Sequence, residues 1–114
     1  MVENNNLIVY LFGFSLRKND QSANLISIIS DQINAGARIK IVLMHDGVIG
    51  ISKLGKVPSS LKKLLNLPIE IYAIIPDIKA RGIDIKAINE KIVLIEYENL
   101  VDILVETSQI VSWL

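Results

Sequence analysis

His45 and Asp46 are the one place in this chain where an imidazole stands beside a carboxylate, a pairing that can make a general base with its orienter. Adjacent residues, however, point in different directions, and no nucleophile accompanies the pair. Asp46-Gly47 is also what a turn after a strand needs, so a structural or interface role outweighs catalysis here. A metal centre has even less to work with, because a single histidine without cysteine leaves only scattered carboxylates. Gly47, Gly50 and Gly55 match neither G-x-G-x-x-G nor a glycine loop followed by G-K-[ST], and no G-x-S-x-G elbow occurs. Nucleotide binding and hydrolase chemistry therefore find no support, and no cofactor is expected.

The remaining candidates are contact residues. Lys79 and Arg81 beside Asp77 can meet an acidic partner or simply remain solvated. Tyr97 and Trp113 are amphipathic groups near element ends; core packing with a satisfied polar tip is one reading, and an interface anchor is an equal one for Trp113.

These residues must be positioned by the elements around them. Leu7 to Phe12 is a continuous apolar run, as expected of a strand covered on both faces. From Asp20 to Ala35 the period changes: Ala23, Ile26, Ile29 and Ile33, joined by Leu25 and Ile28, recur at helical spacing from a start near Asn19 or Asp20, and Gly36 is the stop. Arg38 to Met44 reads as a second strand ended by His45-Asp46-Gly47. Gly50 to Lys56 has no clear period. Leu61, Leu64 and Leu65 mark a short helix with Ser59 or Ser60 as its cap. Ile69 to Ile75 is a β-branched third strand, ended by Pro76, which cannot donate to a ladder. Asp77 is then expected to cap a turn over Ile78 to Arg81, with Gly82 as its left-handed end.

Ile83 to Asn89 reads as a loop or short helix. Lys91 to Glu96 is a fourth strand, and Glu98 to Thr107 is a helix with Leu100, Val101, Leu104 and Val105 on one side. Gln109 to Leu114 supplies a last edge strand. Such alternation implies right-handed crossovers: an α/β fold of three layers, with a mainly parallel sheet of about five strands and helices on both faces. The carboxyl ends of the strands then share one edge. Ser15, Arg17 and Lys18 follow the first strand, His45 and Asp46 the second, and Asp77, Lys79 and Arg81 the third, so a crevice or partner dock belongs there.

At 114 residues the chain is expected to be a single domain over 1–114, long enough for one core. Its hydrophobic fraction of 51% slightly exceeds the roughly 45–50% of soluble domains, leaving apolar surface for association. Lys and Arg number 12, as do Asp and Glu, so no global field would hold RNA or an anionic membrane, and no direct nucleic acid binding is expected. Met1 to Asn6 lacks the basic start and apolar core of a signal peptide, and later apolar runs are too short to span a bilayer; a cytoplasmic location is expected. Without cysteine the chain forms no disulfide or thiolate site and carries no persulfide.

Several pieces together resemble a known family. His45-Asp46-Gly47-Val48 follows a strand; Pro68-Ile69-Glu70-Ile71-Tyr72-Ala73 leads into Pro76-Asp77-Ile78-Lys79-Ala80-Arg81-Gly82; Ile92 to Tyr97 precedes Leu100-Val101; and Ser112-Trp113 stands next to the last residue. In order and spacing these resemble the DsrH/TusB family of sulfur-relay proteins over about the last two thirds of the chain. The resemblance implies a DsrEFH-like α/β fold and a place as the small subunit beside DsrE/TusD-like and DsrF/TusC-like partners. In the Tus version such a complex relays persulfide sulfur from a TusA-like carrier toward 2-thiolation of the tRNA wobble uridine; in the Dsr version it serves oxidation of stored sulfur.

The family's sulfur-accepting cysteine lies on the DsrE/TusD-like subunit, so the resemblance carries no catalytic residue onto this chain. Some DsrH members have a cysteine in the first helix, near Ser22-Ala23-Asn24-Leu25 here, and this chain has none. That departure favours the cysteine-free, TusB-like version. The expectation is a non-catalytic docking subunit with His45, Asp46, Asp77, Lys79, Arg81 and Trp113 as partner contacts. Two alternatives stand beside it: a self-associating relative serving sulfur oxidation, and a small-ligand binder or enzyme using a crevice near His45 and Asp46.

Overall fold

The computed structural model describes residues 6–114, so the N-terminal stretch read for a leader lies outside the described residues except for Asn6. Strands and helices alternate as β1 (Leu7–Phe12), α1 (Asn19–Asn34), β2 (Arg38–Leu43), α2 (Ser59–Leu65), β3 (Glu70–Ile74), α3 (Ile75–Ala80), β4 (Ile92–Ile95), α4 (Tyr97–Glu106) and β5 (Gln109–Trp113). Single 3-10 turns, His45–Val48 and Ile85–Ala87, follow β2 and precede β4.

The sheet has five strands in the order β4-β3-β2-β1-β5, and each pairing is parallel. The chain steps outward from β1 to β4 and then returns to place β5 beside β1. Because right-handed crossovers that step in opposite directions must pass over opposite faces, this reversal sends α4 to the face that α1 and α2 leave open.

The period-2 alternation of the strands feeds two cores. Tyr10, Phe12, Ile41, Leu43, Ile71 and Ala73 face one way and pack with Leu25 and Ile29 of α1 and Leu61 and Leu64 of α2. Leu7, Val9, Val42, Ile74 and Ile95 face the other way, against Leu100 and Ile103 of α4. The central strand β1 is therefore apolar on both sides, which is why it reads as an unbroken run.

Two local expectations are corrected. Neither Ser59 nor Ser60 caps α2, whose first residue follows Pro58 without a side-chain cap. Ser60 is buried and its hydroxyl donates instead to the Leu16 carbonyl at 2.6 Å, satisfying an acceptor across the core. The third strand stops at Ile74 because α3 already begins at Ile75 with Pro76 in its first turn, where a missing N–H costs no helical bond.

Tyr72 lies on the α4 face, in register with Val42 and Val93, with Lys40 Nζ 5.8 Å from its ring centroid. Its hydroxyl donates to Glu70 Oε1 at 2.5 Å. Partial burial, then the bond to and charge of Glu70, push its pKa from 10.0 up to about 12. A folded value above the unfolded one means that Tyr72 contributes stability fully present below pH 10 and lost as pH rises toward 12. Following tyrosinate absorbance through an alkaline titration should therefore show a late phenol, and Tyr72→Phe should remove that step while leaving the titrations of Tyr10 and Tyr97.

Candidate functional site

The carboxyl edge of the sheet is held by one buried carboxylate. Asp77, 8% exposed, accepts the His45 main-chain N–H at Oδ2 (2.7 Å) and the Tyr97 hydroxyl at Oδ1 (2.8 Å). Arg81 completes the arrangement: Nη1 donates to the Asp77 carbonyl at 3.2 Å, while Nε and Nη2 reach Asp46 Oδ1 at 3.2 and 3.1 Å. The segments after β2, β3 and β4 are thus tied together through one side chain.

Each position follows from local structure. Met44 donates its N–H to the Phe12 carbonyl at 3.0 Å, continuing the β1–β2 ladder one step beyond the strand, and Gly47 donates back to Met44 at 2.8 Å. Between them His45 takes φ 52°, a left-handed conformation uncommon for a side chain of its size. That conformation aims its N–H at Asp77. Glu96 and Asn99 form a reciprocal capping box that starts α4 at Tyr97, setting the tyrosine at the helix entrance within reach of Asp77.

The expectation that Asp77 caps its own turn is corrected: its carboxylate leaves α3 and serves the neighbouring loops. The base-and-orienter pairing fails on geometry as well. Asp46 is bonded to Arg81, and the part of His45 that is engaged is its backbone N–H. The Tyr97 hydroxyl is pushed above its ordinary pKa, first by donating to Asp77 and then by desolvation, so at neutral pH it is a donor and a clamp.

Of the expected contact residues, His45, Asp46, Asp77 and Arg81 come together; the other two do not. Lys79 is exposed on α3. Trp113 lies at the β5 edge on the α1 face, its ring edge-on to Phe12 at 6.1 Å and its Nε1 donating to Gln21 Oε1 at 2.9 Å. Tyr97, read only as an amphipathic end residue, is the missed member of the cluster. The Glu96…Asn99 spacing was the available signal, since it dates the helix start one residue before Glu98.

The switch point between β1 and β5, where doubly wound sheets take ligands, is filled by the chain itself. Gly13 donates its N–H to the Trp113 carbonyl at 2.9 Å, and a Cβ on Gly13 would lie 2.9 Å from Leu114 Cδ2. An open cleft of about 400 Å³ lies instead beside the β1–α1 loop, lined by Arg17, Lys56, Val57, Pro58, Ser59 and Lys62. Arg17 spans its rim, donating to the Lys56 carbonyl at 3.0 Å. Among the described residues no group of three His, Asp or Glu is placed to hold a metal ion, and no helix is long and apolar enough to cross a membrane.

A small doubly wound α/β domain, without a thiol and with its carboxyl edge tied by its own side chains, is the class these features define. The chain belongs to the DsrH family: the family profile described as DsrH like protein matches residues 16–110. It is similar to Protein TusB of Pectobacterium carotovorum subsp. carotovorum (strain PC1), 36% identical over 73 residues, which cover 64% of this chain and 73% of that one. Protein TusB of Yersinia pestis (strain Pestoides F) is 34% identical over the same shares. The fold matches a protein of unknown function, MTH1491, from Methanobacterium thermoautotrophicum (TM-score 0.73, 16% identity, 90% of this chain and 96% of that one). It also matches the ychN protein from E. coli (TM-score 0.72, 11% identity, 96% and 100%). These two likenesses show the α/β architecture.

Proposed function

We propose that this chain is a non-catalytic docking subunit of a sulfur-relay complex, set beside a DsrE/TusD-like subunit that carries the persulfide and a DsrF/TusC-like subunit. The observation that carries the reading is membership of the DsrH family in a chain with no cysteine: without a thiolate there is no atom to accept sulfur, so its part in a relay is to hold or orient a subunit that has one. The tied carboxyl edge supports this, because a surface whose loops are braced against each other keeps its shape on association and loses little entropy in doing so. His45, Asp46 and Arg81 are the exposed or half-exposed parts of that edge offered to a partner; Lys79 flanks them. Within this reading the relay serves 2-thiolation of the tRNA wobble uridine, as in the cysteine-free, TusB-like version of the family, and the complex works in the cytoplasm.

Co-expression with TusC-like and TusD-like partners followed by native mass measurement tests the proposal. A defined heteromeric mass containing this chain is expected. A chain that stays alone in every combination would overturn it, and 2-thiouridine unchanged in a strain lacking the chain would remove the tRNA assignment.

A further inference from the structure

Helix α4 is apolar around twice the arc that its sheet covers. At about 100° per residue, Ile103, Leu100, Leu104, Tyr97, Val101 and Val105 occupy a continuous arc of roughly 200°, whereas a helix lying on a core needs an apolar stripe of about 100°. The sheet takes one half, burying Leu100 and Ile103. The other half is bare: Tyr97, Val101 and Val105, spaced four residues apart, are 44%, 57% and 79% exposed. The same sheet face leaves Ile110 of β5, in register with Val9, 49% exposed. Isolated apolar residues on a surface are ordinary, but a helical stripe of this kind beside an exposed strand residue marks a contact surface.

The rim of the stripe says what covers it. Glu98, Asp102 and Glu106 each follow one stripe residue and form the next sector of the helix, and α4 carries no lysine or arginine. Across the sheet face below, the cations Arg38 and Lys40 are engaged by Glu70 at 3.6 and 3.8 Å. A second copy packing its α4 antiparallel on this one, by a two-fold axis across the helices, would set this acidic rim against itself, which like charges disfavour. A head-to-tail contact with the basic residues Lys62 and Lys63 of α2, on the opposite face of the sheet, would be heterologous, giving a ring where its rotation closes and an open chain of copies where it does not.

We infer that the Tyr97/Val101/Val105 stripe of α4, with Ile110, is the docking surface for a different subunit presenting an apolar ridge rimmed by lysine or arginine. The inference rests on the relay reading above and adds a second contact face, on α4, to the carboxyl edge already offered to a partner.

The test uses the full chain co-expressed with the TusC-like and TusD-like subunits. Val101→Glu/Val105→Glu should lower co-purification at least tenfold, while the variant purified alone keeps the wild-type circular dichroism and melting temperature, because both residues are exposed. Glu98→Lys/Asp102→Lys should weaken assembly and flatten its dependence on salt concentration. Assembly of the wild type and of Val101→Glu/Val105→Glu alike overturns the surface and leaves the relay reading standing. A wild-type homodimer that the same variant breaks also overturns it, in favour of a second copy. Wild type that joins neither partner sinks the relay reading and this surface with it.

Discussion

Gly47→Ala is expected to destabilise the domain by about 3–5 kcal/mol, enough to threaten folding in a protein of ordinary stability. A Cβ at this position would lie 2.2 Å from the Phe12 carbonyl oxygen and 3.2 Å from its carbon. The obstacle is backbone, not the end of a flexible side chain. That oxygen already accepts the Met44 N–H at 3.0 Å, and β1 and β2 stand in the interior of the sheet, so neither strand can withdraw without opening the ladder. For a chain of this length, roughly 4 °C of melting temperature is lost per kcal/mol, which predicts a fall of about 12–20 °C in a thermal scan, or a matching shift in urea midpoint. Gly36→Ala is the control. Its φ of 96° strains an alanine, but nothing lies within 4 Å of the added carbon, and a loss of about 1 kcal/mol is expected. Equal effects at the two glycines would refute the steric account of the Asp46-Gly47 turn.

Asp77→Ala should cost about 2–3 kcal/mol. It removes the shared acceptor of the His45 N–H and the Tyr97 hydroxyl and leaves His45 in its left-handed conformation with nothing to hold it there. The cost stays below that of a fully buried pair because Tyr97 is 44% exposed and its hydroxyl can turn to water. Asp77→Asn retains one acceptor oxygen, and a loss of about 1 kcal/mol is expected. Tyr97→Phe should cost a similar amount. In a double-mutant cycle, Asp77→Ala with Tyr97→Phe should be less damaging than the sum by about 0.5 kcal/mol or more, since both remove the same bond. Strict additivity in denaturant unfolding would show that the two residues do not act as one tie. A helix-capping role confined to α3, the expectation from sequence, predicts no coupling to Tyr97 at all.

That difference illustrates where the sequence stopped. Asp77 after a strand and before a glycine has the local signature of a cap, and the local signature is all that a linear reading offers. Its real partners are 32 and 20 residues away, delivered by segments after other strands. Ser60 is the same case: a serine before a leucine-rich turn looks like a cap, yet its hydroxyl is spent on the Leu16 carbonyl 44 residues back. Short polar side chains at element ends choose between neighbours in sequence and neighbours in space, and burial tips the choice.

The strands, the long helix α1 and the parallel α/β class were legible in the order of residues, because period and β-branching are local properties that both cores reward. So was the family, whose profile matches residues 16–110. The missing thiol is likewise a matter of composition alone. What required the fold was the assignment of surfaces. Leu100, Val101, Leu104 and Val105 form one apolar side in sequence, but only the position of α4 over the sheet separates Leu100, buried, and Leu104, half-buried, from two bare valines at 57% and 79% exposure. Hydrophobic periodicity reports how much of a helix avoids water. How much of it the sheet covers depends on the crossover that brings α4 back over β3, β2 and β1 to β5, and that is a property of the assembled strand order.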